Sequence, residues 1–93
     1  MPAARIDALT ELFQALADPA RLEILHLLAR AETPVCVCDI TAILGLRQPS
    51  VSHHLARLRQ AGLVTGERRG VWSYWRVRPE LADAARVALA LVA

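Results

Sequence analysis

Cys36 and Cys38 are the only thiols in this 93-residue chain, and a single valine separates them. Thiolate is the form of cysteine that binds metal, and it selects soft ions. The spacing restricts how two such sulfurs can share a guest. On an ideal helix, residues two apart diverge by roughly 200° and could not hold one ion. In extended or distorted backbone they lie on the same side. Chelation therefore favours non-helical backbone over Val35–Asp39, where Thr33-Pro34 already delays the next helix. A position beside a helix N-terminus lowers the thiol pKa and enriches the thiolate. Two sulfurs with no further strong ligand suit a low-coordination ion better than four-coordinate zinc. Asp39 could add an oxygen, but it is better suited to the start of a helix. The plain alternative is a pair of buried structural cysteines.

A second group of residues has the chemistry of a polyanion-binding surface. Residues 47–78 carry seven Arg against one Glu, a net charge of +6, whereas residues 1–46 carry −3 and residues 79–93 carry −1. One basic block in an otherwise acidic chain is the footprint expected of a nucleic-acid partner. Within it, Gln48 to Ala61 has helical spacing, with Val51, Leu55 and Leu58 on one face. The opposite face is small and polar near its N-terminus, as a helix entering a major groove requires. Gln48, Ser50 and His53 are assigned to base edges, and Arg47, Ser52 and Arg57 to phosphates. His54 lies nearer the core boundary. Arg68 and Arg69, beside Gly70 in a turn, are placed to enter a minor groove or clamp flanking backbone.

These residues need a frame, and the sequence spells one out. Ile6, Leu9, Phe13 and Leu16 predict an amphipathic helix over 5–17. Asp18 as N-cap and Pro19 at the first position open a second helix to about Arg30, with Leu22, Leu25 and Leu28 inward and His26 at the surface. Ile40, Ile43 and Leu44 form a short third helix ended by a left-handed Gly45, with Leu46-Arg47 as the turn. The fourth helix carries Pro49 in its first turn and stops at Gly62. Val64–Glu67, a turn at Arg68-Arg69-Gly70 and Val71–Val77 predict a hairpin. Pro79 opens a fifth helix to about Val92 with Leu81, Ala85, Ala88, Leu89 and Val92 apolar. Two helices joined by a glycine-containing turn and followed by a hairpin make a winged helix-turn-helix. The expected fold is mainly α with a small β-hairpin wing, five helices in one domain spanning residues 1–93.

Composition narrows the remaining classes. Apolar residues make up 55% and aromatic residues 4%, so the interior should be aliphatic. A chain this short buries a modest share of its surface alone, which favours oligomerisation. No secretory signal is evident and the apolar tail is too short to span a bilayer, so a cytoplasmic location with reduced thiols and no membrane partner is expected. No nucleophile, base and orienter come together and no phosphate-binding glycine loop occurs, so an enzyme is not expected.

Three stretches, Ala17-Asp18-Pro19-Ala20-Arg21-Leu22-Glu23-Ile24-Leu25, Cys36-Val37-Cys38-Asp39-Ile40 and Ser50-Val51-Ser52-His53-His54-Leu55, resemble signature segments of the ArsR/SmtB family. Ala61-Gly62-Leu63-Val64 and the strand into Tyr74 are similar too, and the resemblance runs from about residue 6 to residue 90. It implies a homodimeric winged-helix repressor that binds palindromic operator DNA and releases it when a metal or metalloid binds. It also implies a dimer interface built by the first and last helices, here Leu9, Phe13, Leu81, Ala85 and Leu89. The Cys-Val-Cys-Asp stretch resembles the site of arsenic- and antimony-responsive members, and of cadmium- and lead-responsive ones. Three departures stand out: Thr41 replaces a third cysteine of the arsenic type, no N-terminal cysteines are present, and the last helix lacks histidine. The resemblance therefore makes Cys36 and Cys38 the site of an As(III) or Sb(III) inducer, completed by water, chloride or a small thiol. Cd(II), Pb(II) or Zn(II) is the alternative ion, and thiol oxidation in a repressor of the same fold is the alternative signal. A winged-helix module that assembles proteins without reading DNA is a further class, and the +6 block argues against it.

Overall fold

In chain order the elements are α1 (Ala3–Leu16), α2 (Pro19–Arg30), β1 (Val35–Cys36), α3 (Val37–Leu44), α4 (Gln48–Gln60), β2 (Val64–Arg69), β3 (Trp72–Val77) and α5 (Asp83–Val92). They are taken from a computed structural model that describes residues 1–93. The strands form one antiparallel sheet in the order β1-β3-β2. With α3 and α4 joined by a short turn and the β2–β3 hairpin following, the chain is a winged helix-turn-helix.

Local chemistry starts and stops the helices largely where the sequence places those events. Asp18 Oδ1 accepts the Arg21 backbone N–H at 3.1 Å, and Pro19 occupies the first turn of α2. α3 ends at Gly45 in the left-handed conformation, φ 65°. Pro49 lies in the first turn of α4.

Other boundaries differ. The hairpin pairs through Arg69↔Trp72, so the turn is Gly70-Val71 rather than Arg68-Arg69-Gly70. Positive φ at Gly70 followed by a negative value at Val71 is the pattern that continues the strand twist into a two-residue turn. Pro79 does not open α5. The Arg78 N–H donates to the Leu63 carbonyl at 3.0 Å, and α5 begins only after Ala82. His26 on α2 donates Nδ1–H to the Val92 carbonyl at 2.5 Å, tying down the last turn of α5.

The core is aliphatic and contains no buried polar side chain. Val51, Leu55 and Leu58 on α4 have no exposed surface, and neither do Ile24, Leu25, Ile40, Leu63 and Val64. α1 turns Leu12 and Ala15 inward, leaving Ile6 and Phe13 exposed, and on α2 Ile24 is buried where Leu22 is not. Ile43 on α3 is exposed as well. These helices carry apolar residues on more than one face, so spacing alone does not select the buried one.

Gly66 lies directly across β2–β3 from Trp75. A Cβ there would stand 2.7–2.9 Å from three carbons of the indole, which is only 8% exposed and has little freedom to retreat. Gly66→Ala should therefore destabilise the protein by about 1–3 kcal/mol, roughly 4–20 °C in Tm, in thermal unfolding followed by circular dichroism. An unchanged Tm would mean that the indole is not held over this glycine.

Candidate nucleic-acid interface and thiol site

Pro34 keeps the chain extended into β1, where Val35 pairs with Trp75 and Cys36 with Tyr74. Cys36 is also the N-cap of α3, with φ −63° and ψ 140°. Its Sγ accepts the Cys38 N–H at 3.3 Å. The helix therefore begins at Val37, inside the segment expected to be non-helical. Only Cys36 needs to be extended for the two sulfurs to meet, because Cys38 already lies in the first turn.

Cys36 and Cys38 are joined as a disulfide, with Cα atoms 5.2 Å apart, where the sequence predicts free thiols. An extended residue followed by a helical one brings both side chains to the same corner. Cys36 is buried and Cys38 is exposed, so one sulfur faces the core and the other faces solvent. No third His, Cys, Asp or Glu gathers with them. Asp39 occupies the first turn of α3, and Thr41 Oγ1 donates to the Cys38 carbonyl at 2.7 Å. Once reduced, the donor set is two sulfurs able to approach one another closely. That set fits a soft ion that completes its coordination from solution.

α4 presents the expected outer surface. Gln48, Ser50 and His53 are exposed, Ser52 and Arg57 are half-buried, and Arg47 is the exposed N-cap residue. Gln48 Nε2 donates to Ser52 Oγ at 3.0 Å, which orders the first turn. The structure thus brings Arg47, Gln48, Ser50, Ser52, His53 and Arg57 onto one helix and its entrance.

The two wing arginines are not equivalent. Side chains alternate along a strand, so Arg68 and Arg69 leave β2 on opposite faces of the hairpin. Arg68 lies opposite Ser73, on the Trp75 side, and over Trp75 the Arg59 guanidinium of α4 stacks at 5.4 Å. Arg69 lies on the other side, bonded to Glu67 at 2.7 Å and stacked over Tyr74 at 4.7 Å. The hydrogen bond from Arg69 holds the Glu67 carboxyl below its usual range, and the same bond raises the Arg69 guanidinium. Only Arg68 is free of a carboxylate.

One network was not legible in the sequence. Arg21 donates Nε–H to the Ala15 carbonyl at 2.7 Å and Nη2–H to the Gln14 carbonyl at 3.1 Å. Its Nη1 lies 3.2 Å from His54 Nδ1 and 3.9 Å from Asp18 Oδ2. The backbone N–H of Arg21 lowers the Asp18 carboxyl, and burial lowers His54. Arg21 follows the cap residue by three positions, but nothing local announces its partner 33 residues later.

The residues assigned to an interface between copies divide between two faces. Ala85 is buried in the core, while Leu81 and Leu89 pack partly against it and Leu9 is half-buried. Phe13 is 62% exposed and borders a wholly apolar groove of about 350 Å³ with Leu16, Ala84, Val87 and Leu91. No helix is long and apolar enough to cross a membrane.

Residues 18–65 match the profile described as "Bacterial regulatory protein, arsR family". An arsenic resistance transcriptional regulator of Pseudomonas putida is 46% identical over 69 residues, covering 74% of this chain and 53% of that one. An arsenical resistance operon repressor of Bacillus subtilis is 46% identical over 69 residues, covering 73% and 64%. The chain thus spans between half and two thirds of the length of these relatives. A solution structure from Mycobacterium bovis superposes with a TM-score of 0.81 at 37% identity, covering 97% of this chain and 79% of that one. That protein is described as the homodimeric winged helix-turn-helix DNA-binding domain of a possible ArsR-family transcriptional regulator.

Proposed function

The chain belongs to the arsR family of bacterial regulatory proteins, and from that premise we propose a homodimeric transcriptional repressor that lets go of operator DNA when As(III) or Sb(III) engages Cys36 and Cys38. The observation that carries this reading is the connection between the two sites. Cys36 pairs with Tyr74 on β3, the returning strand of the wing, and Cys38 starts α3, which leads through Gly45 into α4. A change in the sulfurs therefore reaches both DNA-facing elements within one structural neighbour. The relatives named for arsenic resistance support the choice of ion, and the two-sulfur donor set supports a soft one. Cd(II), Pb(II) and Zn(II) are weaker fits, since they find only two protein ligands here.

In this mechanism the unliganded dimer lays the exposed half of α4 in a major groove, with Gln48, Ser50 and His53 at base edges. Arg47, Ser52 and Arg57 hold phosphates beside it. Bound As(III) supplies a bridge between the two thiolates. The disulfide must first take up two electrons and two protons, because neither sulfur can ligate while bonded to the other. Cys36 then leaves its capping position, and the start of α3 and the β1–β3 pairing shift together. The Cys36–Cys38 bond favours a second reading, in which oxidation of the pair is itself the signal.

Cys36→Ser and Cys38→Ser should each keep affinity for a duplex selected by the protein from a randomised pool, and each should abolish its release by arsenite in the presence of reductant. Continued release by either variant would exclude the pair as the sensor. In the wild type, release by oxidant alone, with arsenite inert after reduction, would favour the second reading.

Arg68→Ala should weaken duplex binding across sequences and lower the salt slope by about 1, as expected for one phosphate contact. Arg69→Ala should change the slope less, because its charge is already matched by Glu67. Equal losses in filter-binding titrations over a salt series would contradict this division.

The interface between copies is assigned to the outer apolar face, with Phe13 at its centre. Phe13→Glu should turn a dimer into a monomer in sedimentation velocity and weaken duplex binding with it. A wild-type monomer at micromolar concentration would remove this assignment.

A further inference from the structure

The Arg21 network plays no part in the reading above, yet it touches three helices at once. The Arg21 side chain is 12% exposed. Its Nε and Nη2 satisfy carbonyls at the end of α1, which has no basic residue of its own in the last turn. Its remaining contact reaches α4 at His54. A guanidinium has no lone pair to offer, so His54 Nδ1 is the acceptor and the ring proton resides on Nε2. Protonation at Nδ1 would remove that acceptor and set a second cation against the first.

The groups facing His54 can be named from each side. α1 offers only the Ala15 and Gln14 carbonyls bound by Arg21, α2 offers Arg21 with the Asp18 carboxylate at the start of the helix, and α4 offers His53, with ring centroids 5.9 Å apart. Burial holds the His54 pKa below the ordinary histidine value. Asp18 opposes this shift, and Arg21 and His53 reinforce it.

We propose that Arg21 and His54 are a positioning pair that fixes the angle of α4 against α1 and α2 while His54 is neutral, and that acidification releases α4 and weakens duplex binding. The proposal rests on α4 being the duplex-contacting helix. It reverses the usual electrostatic expectation, because a protonated His53 on the exposed face would strengthen binding to phosphates as pH falls. The stability sign agrees. A histidine with a depressed folded pKa contributes fully above its unfolded value of 6.5, and that contribution is lost as pH falls through the folded value.

The test is an NMR pH titration of the reduced wild type, reading both imidazoles and the amides of Ala15 and Leu16, which adjoin the two carbonyls held by Arg21. His54 should titrate below His53, and both amides should follow the His54 curve. Affinity for the selected duplex should fall about tenfold between about pH 7.5 and about pH 5.5, the worth of one hydrogen bond to a charged group. His54→Gln retains an acceptor without a titrating proton and should keep the neutral-pH affinity while losing the acid loss. His54 titrating together with His53 while the amides stay silent would overturn the proposal, as would an undiminished acid loss in His54→Gln. Because the NMR arm uses the wild type, a variant that fails to fold does not remove the test. If no duplex binds at any pH while the amides follow His54, the DNA reading of α4 falls and the packing role of the pair stands.

Discussion

Complete burial of Val51, Leu55 and Leu58 governs what the rest of this molecule can do. Those three side chains lock one face of α4 onto Ile24, Leu25 and Ile40, so the opposite face is held at a set angle without contacts of its own. Because the interior is aliphatic and contains no polar side chain, it offers no donor to an ion or a small polar ligand. Chemistry is pushed to the rim. The thiol pair lies at that rim, one sulfur against the core and one in solvent.

β3 connects the rim to the tip. It is the central strand of the sheet, with β1 on one edge and β2 on the other. β1 is only two residues long, which is enough to fix Cys36 by the register Cys36↔Tyr74 and short enough to be released without unfolding the hairpin. β2 is held more firmly, by six pairs and by the indole of Trp75 lying over Gly66. A weak edge and a strong edge on one strand give a sheet that can lose one partner and keep the other.

Features set by neighbours along the chain were legible in the sequence. Asp18-Pro19 starts a helix because the cap and the fixed proline φ act within one turn, and Gly45 ends one because its left-handed conformation is local. The span of α4 follows from a clean stripe of three aliphatic residues. Features set by distant partners were not legible. Val35-Cys36 is a strand only because β3 runs beside it, and α5 starts late because Arg78 is held by Leu63. The orientation of α1 could not be read, since Ile6, Leu9 and Phe13 make as good a stripe as Leu12 and Ala15. For the candidate site, residue types and the α4 surface were readable. The opposed faces of Arg68 and Arg69 follow from strand alternation once the turn is placed at Gly70-Val71, one step later than its composition suggests.

Both tryptophans of the chain belong to β3, and their surroundings differ sharply. Trp75 is 8% exposed, donates Nε1–H to Ser73 at 2.8 Å and lies beneath the Arg59 guanidinium, whereas Trp72 is 52% exposed near the hairpin tip. A buried indole beneath a cation and an exposed one in water differ in emission wavelength and in access to dissolved quenchers. The strand that pairs with Cys36 thus carries two natural optical probes, one near the reading helix and one at the wing, and unlabelled protein can report events at the sulfurs through its own fluorescence.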